Sequence, residues 1–493
     1  MAVAASVEQP PAPVPPGKLP LDMELPGADS SSHFELKRRF KWWKLRRGAS
    51  RGLAVALVLL VIFGGLFFQG YLKLHRVFKG GTGTAAALKS NVDPNLLKGE
   101  GKGRVNILLL GRGGGNHDAP DLTDTMMLVS VDPVNHTSVM LSLPRDLWVN
   151  VPNQGVMKLN AAWEAGEFKY LGKAVAGSTN PKAIKAGFDM VDQTVSGILG
   201  VDINYNVLVD FQAFQQAVDT VGGVTVNVPS DLVDPTMAWE NSGNPVLATA
   251  GVHDFTGKQA LIYVRSRETT SDFARADRQR AVLLTLKSKV ETLGTLSNPF
   301  KLSGLLNAFG NNVQTDLSLN NANRLYRILR GVSGSKITSI GLGDTATPDA
   351  AQYVTGGNIN GQSVVLPKAG LFQYAAIQQF IRGQLKDPYI IKENASISIL
   401  NGTITPGLAT AKSDELKSYG YNVVKVGNAP DGGWTKTTLV DLSHGKDKYT
   451  RHYLEQRLNT TAVTNLSNTN IPTNGADFVI IIGSDEATPT NPQ

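Results

Sequence analysis

The stretch LAVALVLLVIFGGLFFQGYL, residues 53–72, carries no charge, and no other feature constrains the chain as strongly. A helix rises 1.5 Å per residue, so a run of this length spans ~30 Å, the hydrocarbon thickness of a bilayer. A secretory signal has a shorter apolar region, close to the N-terminus and to a small-residue cleavage site. This run is long and lies deeper in the chain, so an uncleaved transmembrane helix is expected over 52–72. Ahead of it stand Lys37, Arg38, Arg39, Lys41, Lys44, Arg46, Arg47 and Arg51. That excess of cations places the N-terminal side in the cytoplasm, and Trp42 and Trp43 suit headgroup level. The expectation is a single-pass protein of the cell membrane, with everything after about residue 73 outside the cytoplasm.

The basic run also accounts for the formal net charge of +7, because without it the chain is close to neutral. Basicity confined to a membrane flank does not point to nucleic acid, and no helix-turn-helix pattern occurs. The absence of cysteine excludes disulfides and thiol chemistry and nothing more.

Residues 1–51, Pro-rich (VEQPPAPVPPGKLP) and then basic, read as a disordered cytoplasmic tail. Residues 73–103, with VFKGGTGTAAALKS, read as a flexible linker. A folded region over 104–389 opens with the apolar strand RVNILLLG. TMMLVSVDP and SVMLSLPRD follow, separated by a turn around Pro133 and Asn135. Helical spacing appears in AIKAGFDMVDQTVSGILG, FQAFQQAVDTVGG, ARADRQRAVLLTLKSKVETL, NANRLYRILRGV and LFQYAAIQQFIRGQL. VTVNVP reads as an alternating strand and ALIYVRSR as the end of another. Interleaved strands and helices argue an α/β sandwich. A smaller α/β domain is expected over 394–486, as β-α-β-α-β through SISILNGT, LATAKSDELKSYG, YNVVKVGNA, YTRHYLEQRLN and DFVIIIGSD.

The chemistry is concentrated in YVRSRETTSDFARADRQR, where Arg265, Arg267, Arg275, Arg278 and Arg280 outnumber the acids. In a strand, Arg265 and Arg267 share a face; in the following helix, Arg275, Arg278 and Gln279 share one. Guanidinium groups donate paired N–H bonds and keep their charge, which suits phosphate. The competing reading is surface ion pairing with Glu268, Asp272 and Asp277. Two further stretches favour phosphate. SLPRD sets Arg145 and Asp146 directly after an apolar strand, where open α/β sheets place ligands. The loop GRGGGNHDAPDLTDT can offer backbone N–H groups to phosphate and Asp124 to a divalent cation. It lacks the Lys-Ser/Thr ending of a P-loop, and no HExxH, CxxC or GxSxG is present.

Taken in order, LLLG…LTDTMMLVSV, LSLPRDLWV, KLNAAW, YNVLVDF, GGVTVNVP, ALIYVRSR and DFARADRQR resemble the LytR-CpsA-Psr family of cell-wall enzymes. The resemblance is close over 104–290 and extends to about 388; SISILNGT and DFVIIIGSD are similar to the LytR C-terminal domain. It implies an α/β/α sandwich that moves an anionic glycopolymer from a polyprenyl-pyrophosphate carrier to peptidoglycan. By motif match, Arg145, Arg265, Arg267, Arg275 and Gln279 would hold the pyrophosphate, with Lys158 a weaker match. Asp124, Arg145 and Arg267 would be catalytic, and Asp124 a ligand of Mg2+. The family usually has an aspartate two residues after the strand-ending glycine, where this chain has Gly113. Asp118 or Asp121 is expected to substitute, or the metal is held differently. Hydrolysis of the lipid pyrophosphate, and binding of it without turnover by a regulatory protein, are the alternatives.

Overall fold

The structure, a computed structural model, describes residues 85–486 except 90–91, 116–118, 174–176, 268–271, 293–309, 311, 343–352 and 466–469. The N-terminal tail, the apolar run 52–72 and Asp118 lie outside the described residues.

A mixed six-stranded sheet organises the larger domain. Its strands are β1 (Val105–Arg112), β2 (Thr123–Asp132), β3 (Thr137–Ser142), β4 (Tyr205–Asp210), β5 (Val313–Thr315) and β6 (Ile337–Gly341), in the order β5-β4-β1-β2-β3-β6. β1 runs antiparallel to β2 and parallel to β4, while β3 runs antiparallel to β2 and parallel to β6. The run Ile107–Leu110 in the middle of β1 is apolar because both of its faces are covered. Leu108 and Leu110 join the core under α1 (Ala162–Leu171) and α2 (Pro181–Leu199), while Val105 and Ile107 meet Leu325 of the helix Leu319–Arg330 on the other face. The β2–β3 turn forms as expected, with the Asp132 carboxylate accepting the N–H groups of Val134 and Asn135 at 2.9 and 2.8 Å.

A lateral layer carries the arginines. It contains α3 (Phe211–Thr220), α4 (Gly257–Arg265), α5 (Asp272–Thr292) and the ribbon Val224–Val228 with Gly251–Phe255. α4 corrects the sequence reading, since ALIYVR is helix and not strand. Periodicity cannot separate a short buried helix from a buried strand, and Ala260, Leu261, Ile262, Tyr263 and Val264 are all buried. The deciding signal is the capping box, in which the Thr256 and Gln259 side chains satisfy each other's backbone N–H groups. Arg265 therefore ends a helix. Arg267 follows the extended cap Ser266, so the two do not share a strand face.

The C-terminal sheet comprises β7 (Ser396–Asn401), β8 (Asn422–Asn428), β9 (Thr438–Asp441) and β10 (Phe478–Ile482), in the order β8-β7-β10-β9. Helices Leu408–Tyr419 and Lys448–Arg457 pack with it as expected; antiparallel β9 is an addition to the expected pattern. The described part of the linker is not a free spacer. Val92 and Leu97 are buried in the C-terminal core together with Tyr389 and Tyr453. The carboxylate of Asp387 accepts the N–H groups of Gly101, Gly103 and Tyr389 at 2.9, 3.2 and 2.9 Å, and the Tyr453 hydroxyl at 3.0 Å. One acid thus ties the linker, the interdomain helix Pro388–Glu393 and the C-terminal domain. Burial raises its pKa, and its four donors hold it in place. Asp387→Ala orphans those donors and is expected to cost roughly 3–5 kcal/mol. A denaturant titration should show the loss, and an unchanged midpoint would mean that the clasp adds nothing.

Candidate functional site

The strand register collects chemistry at one end of the sheet. Arg112, closing β1, is registered with Thr123 at the start of β2 and with Asp210 at the end of β4. Ser142, ending β3, faces Met127 and Gly341. The carboxyl ends of β1, β3, β4 and β6 therefore open on the region that receives Asp124 from β2, the position where α/β sheets hold ligands.

Asp124 and Arg145 form an ion pair there, and Asn160 Nδ2 lies 3.5 Å from the same carboxylate oxygen. Arg145 also reaches Asp146 at 3.3 Å, and Lys158 holds the other oxygen of Asp146 at 2.8 Å. Lys158 thus reaches the site through Asp146. Arg275 is buried and donates to the Asp124 carbonyl at 3.4 Å, while Gln279 donates to Thr125 Oγ1 at 2.9 Å. Both side chains of α5 therefore grip the strand that carries Asp124. Arg267 is exposed, and its backbone N–H is held at 3.0 Å by buried Asp234. Asp124, Arg145, Arg265, Arg267, Arg275 and Gln279 line one cavity of about 270 Å³.

The remaining arginines of the cluster serve the fold. Arg278 donates to the carbonyls of Tyr263, at 3.0 Å, and Ser266, capping the C-terminal end of α4. Arg280 is buried, bonded to Ser142 Oγ at 2.8 Å and paired with Asp277. Asp277 is thus one acid of the competing ion-pair reading that does find an arginine. Arg265 faces a partner that the sequence did not suggest: one of its nitrogens sits 2.8 Å from both oxygens of Glu240, and its guanidinium lies 4.5 Å from the Phe211 ring centre.

The acids of the glycine loop have different placements. Asp118 is outside the described residues. Asp121 is buried, with Oδ1 taken by Arg112 at 2.8 Å and Oδ2 by the Gly177 N–H at 2.9 Å. A cation would have to displace Arg112 to use it. Burial pushes the nearby Glu167 carboxyl up to about 8, with the Asp121 charge adding to the shift and Arg112 opposing it. At Gly114 the loop takes a φ of +66° and passes so close to Asp210 that a Cβ would lie 2.7 Å from the Asp210 Cβ. Among the described residues no three His, Asp or Glu side chains cluster in a way that could hold a metal ion.

The LytR_cpsA_psr family model matches residues 74–364, more than half of the chain. The chain belongs to the LytR-CpsA-Psr family. A second model, described as LytR cell envelope-related transcriptional attenuator, matches residues 394–485. Among curated relatives of the family, the polyisoprenyl-teichoic acid–peptidoglycan teichoic acid transferase TagU of Oceanobacillus iheyensis is 31% identical over 61% of this chain and 84% of its own length. TagT of Bacillus subtilis, which carries the same transferase name, is 28% identical over 59% of this chain and 84% of its own. A solved structure of TagT bound to LIIa-WTA covers 62% of this chain and 96% of that one, at 26% identity and a TM-score of 0.44.

The arginines and Asp124 expected from the family motifs converge, with Gln279, on one cavity. The sequence reading missed Glu240, Asp234 and Asn160. Asp234-Pro235 is a legible helix-start signal, with an Asp cap before Pro, but nothing in it announces the bond to Arg267. Glu240 lies among ENSGNP, a loop composition without periodicity.

Proposed function

We propose that this chain is a membrane-anchored phosphotransferase that moves an anionic glycopolymer from a polyprenyl-pyrophosphate carrier to a hydroxyl of peptidoglycan. One observation carries the reading: Asp124 from β2, Arg145 from just beyond β3, Arg267 from just beyond the α4 cap and Arg275 from α5 line one cavity at the carboxyl ends of the strands. The transferase names of the relatives supply the donor and acceptor classes. The uncharged run 52–72 behind its basic flank supplies the anchor, with the N-terminus in the cytoplasm and the catalytic domain outside.

Phosphoryl transfer asks a protein for positioning and charge neutralisation more than for covalent chemistry. Arg267 and Arg275 bind and orient the pyrophosphate. Arg145, held between Asp124 and Asp146, is fixed in orientation before substrate arrives. The acceptor hydroxyl oxygen then bonds to the glycan-bearing phosphorus as the P–O bond to the bridging oxygen breaks; the hydroxyl proton passes to water, and prenyl phosphate leaves with the bridging oxygen. Mg2+ fits the donor set, because it is commonly held by one or two carboxylates with phosphate oxygens and water completing its sphere. Asp124 would hold it; when bound, the ion neutralises charge on the phosphate oxygens.

The full-length chain in detergent, given a prenyl-pyrophosphate oligosaccharide, is expected to release prenyl phosphate only when peptidoglycan is present. Equal release without peptidoglycan would establish a hydrolase instead, and binding without release a regulatory protein.

A further inference from the structure

The rim of the cavity carries a feature that pyrophosphate binding does not use. Trp239 is 76% exposed, the most exposed aromatic side chain among the described residues, yet it lines the same cavity as Arg265, Arg267 and Arg275. Its loop is built to present it. Buried Asp234 accepts the N–H and hydroxyl of Thr236, at 3.1 and 2.6 Å, together with the Ser266 hydroxyl at 2.8 Å. Those bonds fasten the start of the loop to the cap of α4. Met237 is buried beneath, and Glu240, the residue after the indole, grips Arg265. Beyond it, Asn241 Nδ2 closes the loop on the carbonyls of Asn244 and Val246, at 3.0 and 2.9 Å.

An exposed indole on a loop fastened at both ends, beside a carboxylate and several guanidinium groups, suits a ligand with one flat apolar face and polar edges. A pyranose ring has that shape: its axial C–H face lies on the indole, and its hydroxyls can donate to Glu240. A prenyl chain offers no hydroxyls and gains nothing from so polar and wet a rim. In-line transfer puts a sugar on either side of the reacting phosphorus, the glycan's first residue and the acceptor residue, so a ring next to the pyrophosphate is required by the chemistry. We infer that Trp239 and Glu240 form a sugar subsite that docks the pyranose adjoining the pyrophosphate. The inference rests on the transferase reading above.

The test compares full-length wild type, Trp239→Ala and Trp239→Phe in detergent. The ligands are a prenyl pyrophosphate, the same lipid carrying one N-acetylhexosamine, and peptidoglycan. Trp239→Ala is expected to keep the sugarless lipid within about twofold and to lose about tenfold, ~1.4 kcal/mol, on one sugar-bearing partner. A loss on the N-acetylhexosamine lipid assigns the subsite to the donor; a raised KM for peptidoglycan with unchanged donor affinity assigns it to the acceptor. Trp239→Phe, which keeps an aromatic face, should retain most of the wild-type affinity in either case. No change with either partner, or an equal loss on the sugarless lipid, overturns the subsite and leaves the transferase reading standing. Failure of wild type to bind the sugarless lipid would instead overturn that reading, and the subsite with it.

Discussion

Asp124→Ala is expected to lower turnover by about 10³-fold, roughly 4 kcal/mol of barrier, while leaving the fold intact. The size follows from two losses at one position. Asp124 fixes the Arg145 guanidinium on the strand end, and its carboxylate is the oxygen donor proposed for the cation. Removing a preorganised charge from a site that stabilises developing charge costs on the order of 10²–10³ by itself, and misorienting Arg145 adds to it. Asp124 is one-third exposed at the side chain and closes no core, so stability should barely change. Activity measured against magnesium concentration checks the assignment: the variant should stay inactive at every concentration. Wild-type turnover in Asp124→Ala would remove this carboxylate from the mechanism. Asp121→Ala should behave differently, because Asp121 answers to buried Arg112 and to a loop N–H, and its loss acts through the folding of the loop.

The parts of the fold that could be read from sequence are those where pattern and residue type had one meaning. β1, β2, β3, β7 and β10 are largely buried runs, and their β-branched Val, Ile and Thr residues, bounded by turn signals, settle them as strands where periodicity alone would not. The VTVNV strand shows strict alternation because one face is covered and the other wet. Reading failed where a run was short and apolar on all sides. ALIYV is helix because Thr256 and Gln259 cap it and because its cluster surrounds it, and neither fact lies in the apolar pattern. It failed again over the described part of the linker, within 85–103, where composition suggested a spacer. Leu97 is fully buried there because the C-terminal domain supplies a core that local composition cannot reveal.

The site divides along the same line. Arg145, Arg275, Gln279 and Asp124 were legible because each adjoins a strand or helix with a clear pattern. What each arginine does was not legible, because that depends on partners distant in the chain. Arg278 and Arg280 spend their donors on α4 carbonyls, Ser142 and Asp277, while Arg265 is met by Glu240 from a loop 25 residues earlier. Arginine excess in a short stretch pointed to this cavity, and the structure sorts its members into those that line it and those that hold up its wall.

The central claim is that the cavity-facing arginines bind a pyrophosphate, and the direct measurement is a titration of the chain with a short prenyl pyrophosphate. Arg275 is the decisive position. It is buried against the strand carrying Asp124, so no solvent can replace the charge it would bring to the ligand. Truncating one partner of such a buried charge contact costs roughly 2–5 kcal/mol, and ~1.4 kcal/mol is tenfold in affinity. Arg275→Ala should therefore weaken binding by about 30-fold or more, and Arg267→Ala, at the exposed lip, by less. Arg275→Lys should not restore the affinity, because an ammonium cannot reproduce the paired donors of the fork. The account predicts saturable binding in wild type and its loss in the order Arg275→Ala, then Arg267→Ala. Wild-type affinity in the Arg267→Ala, Arg275→Ala double variant would contradict it.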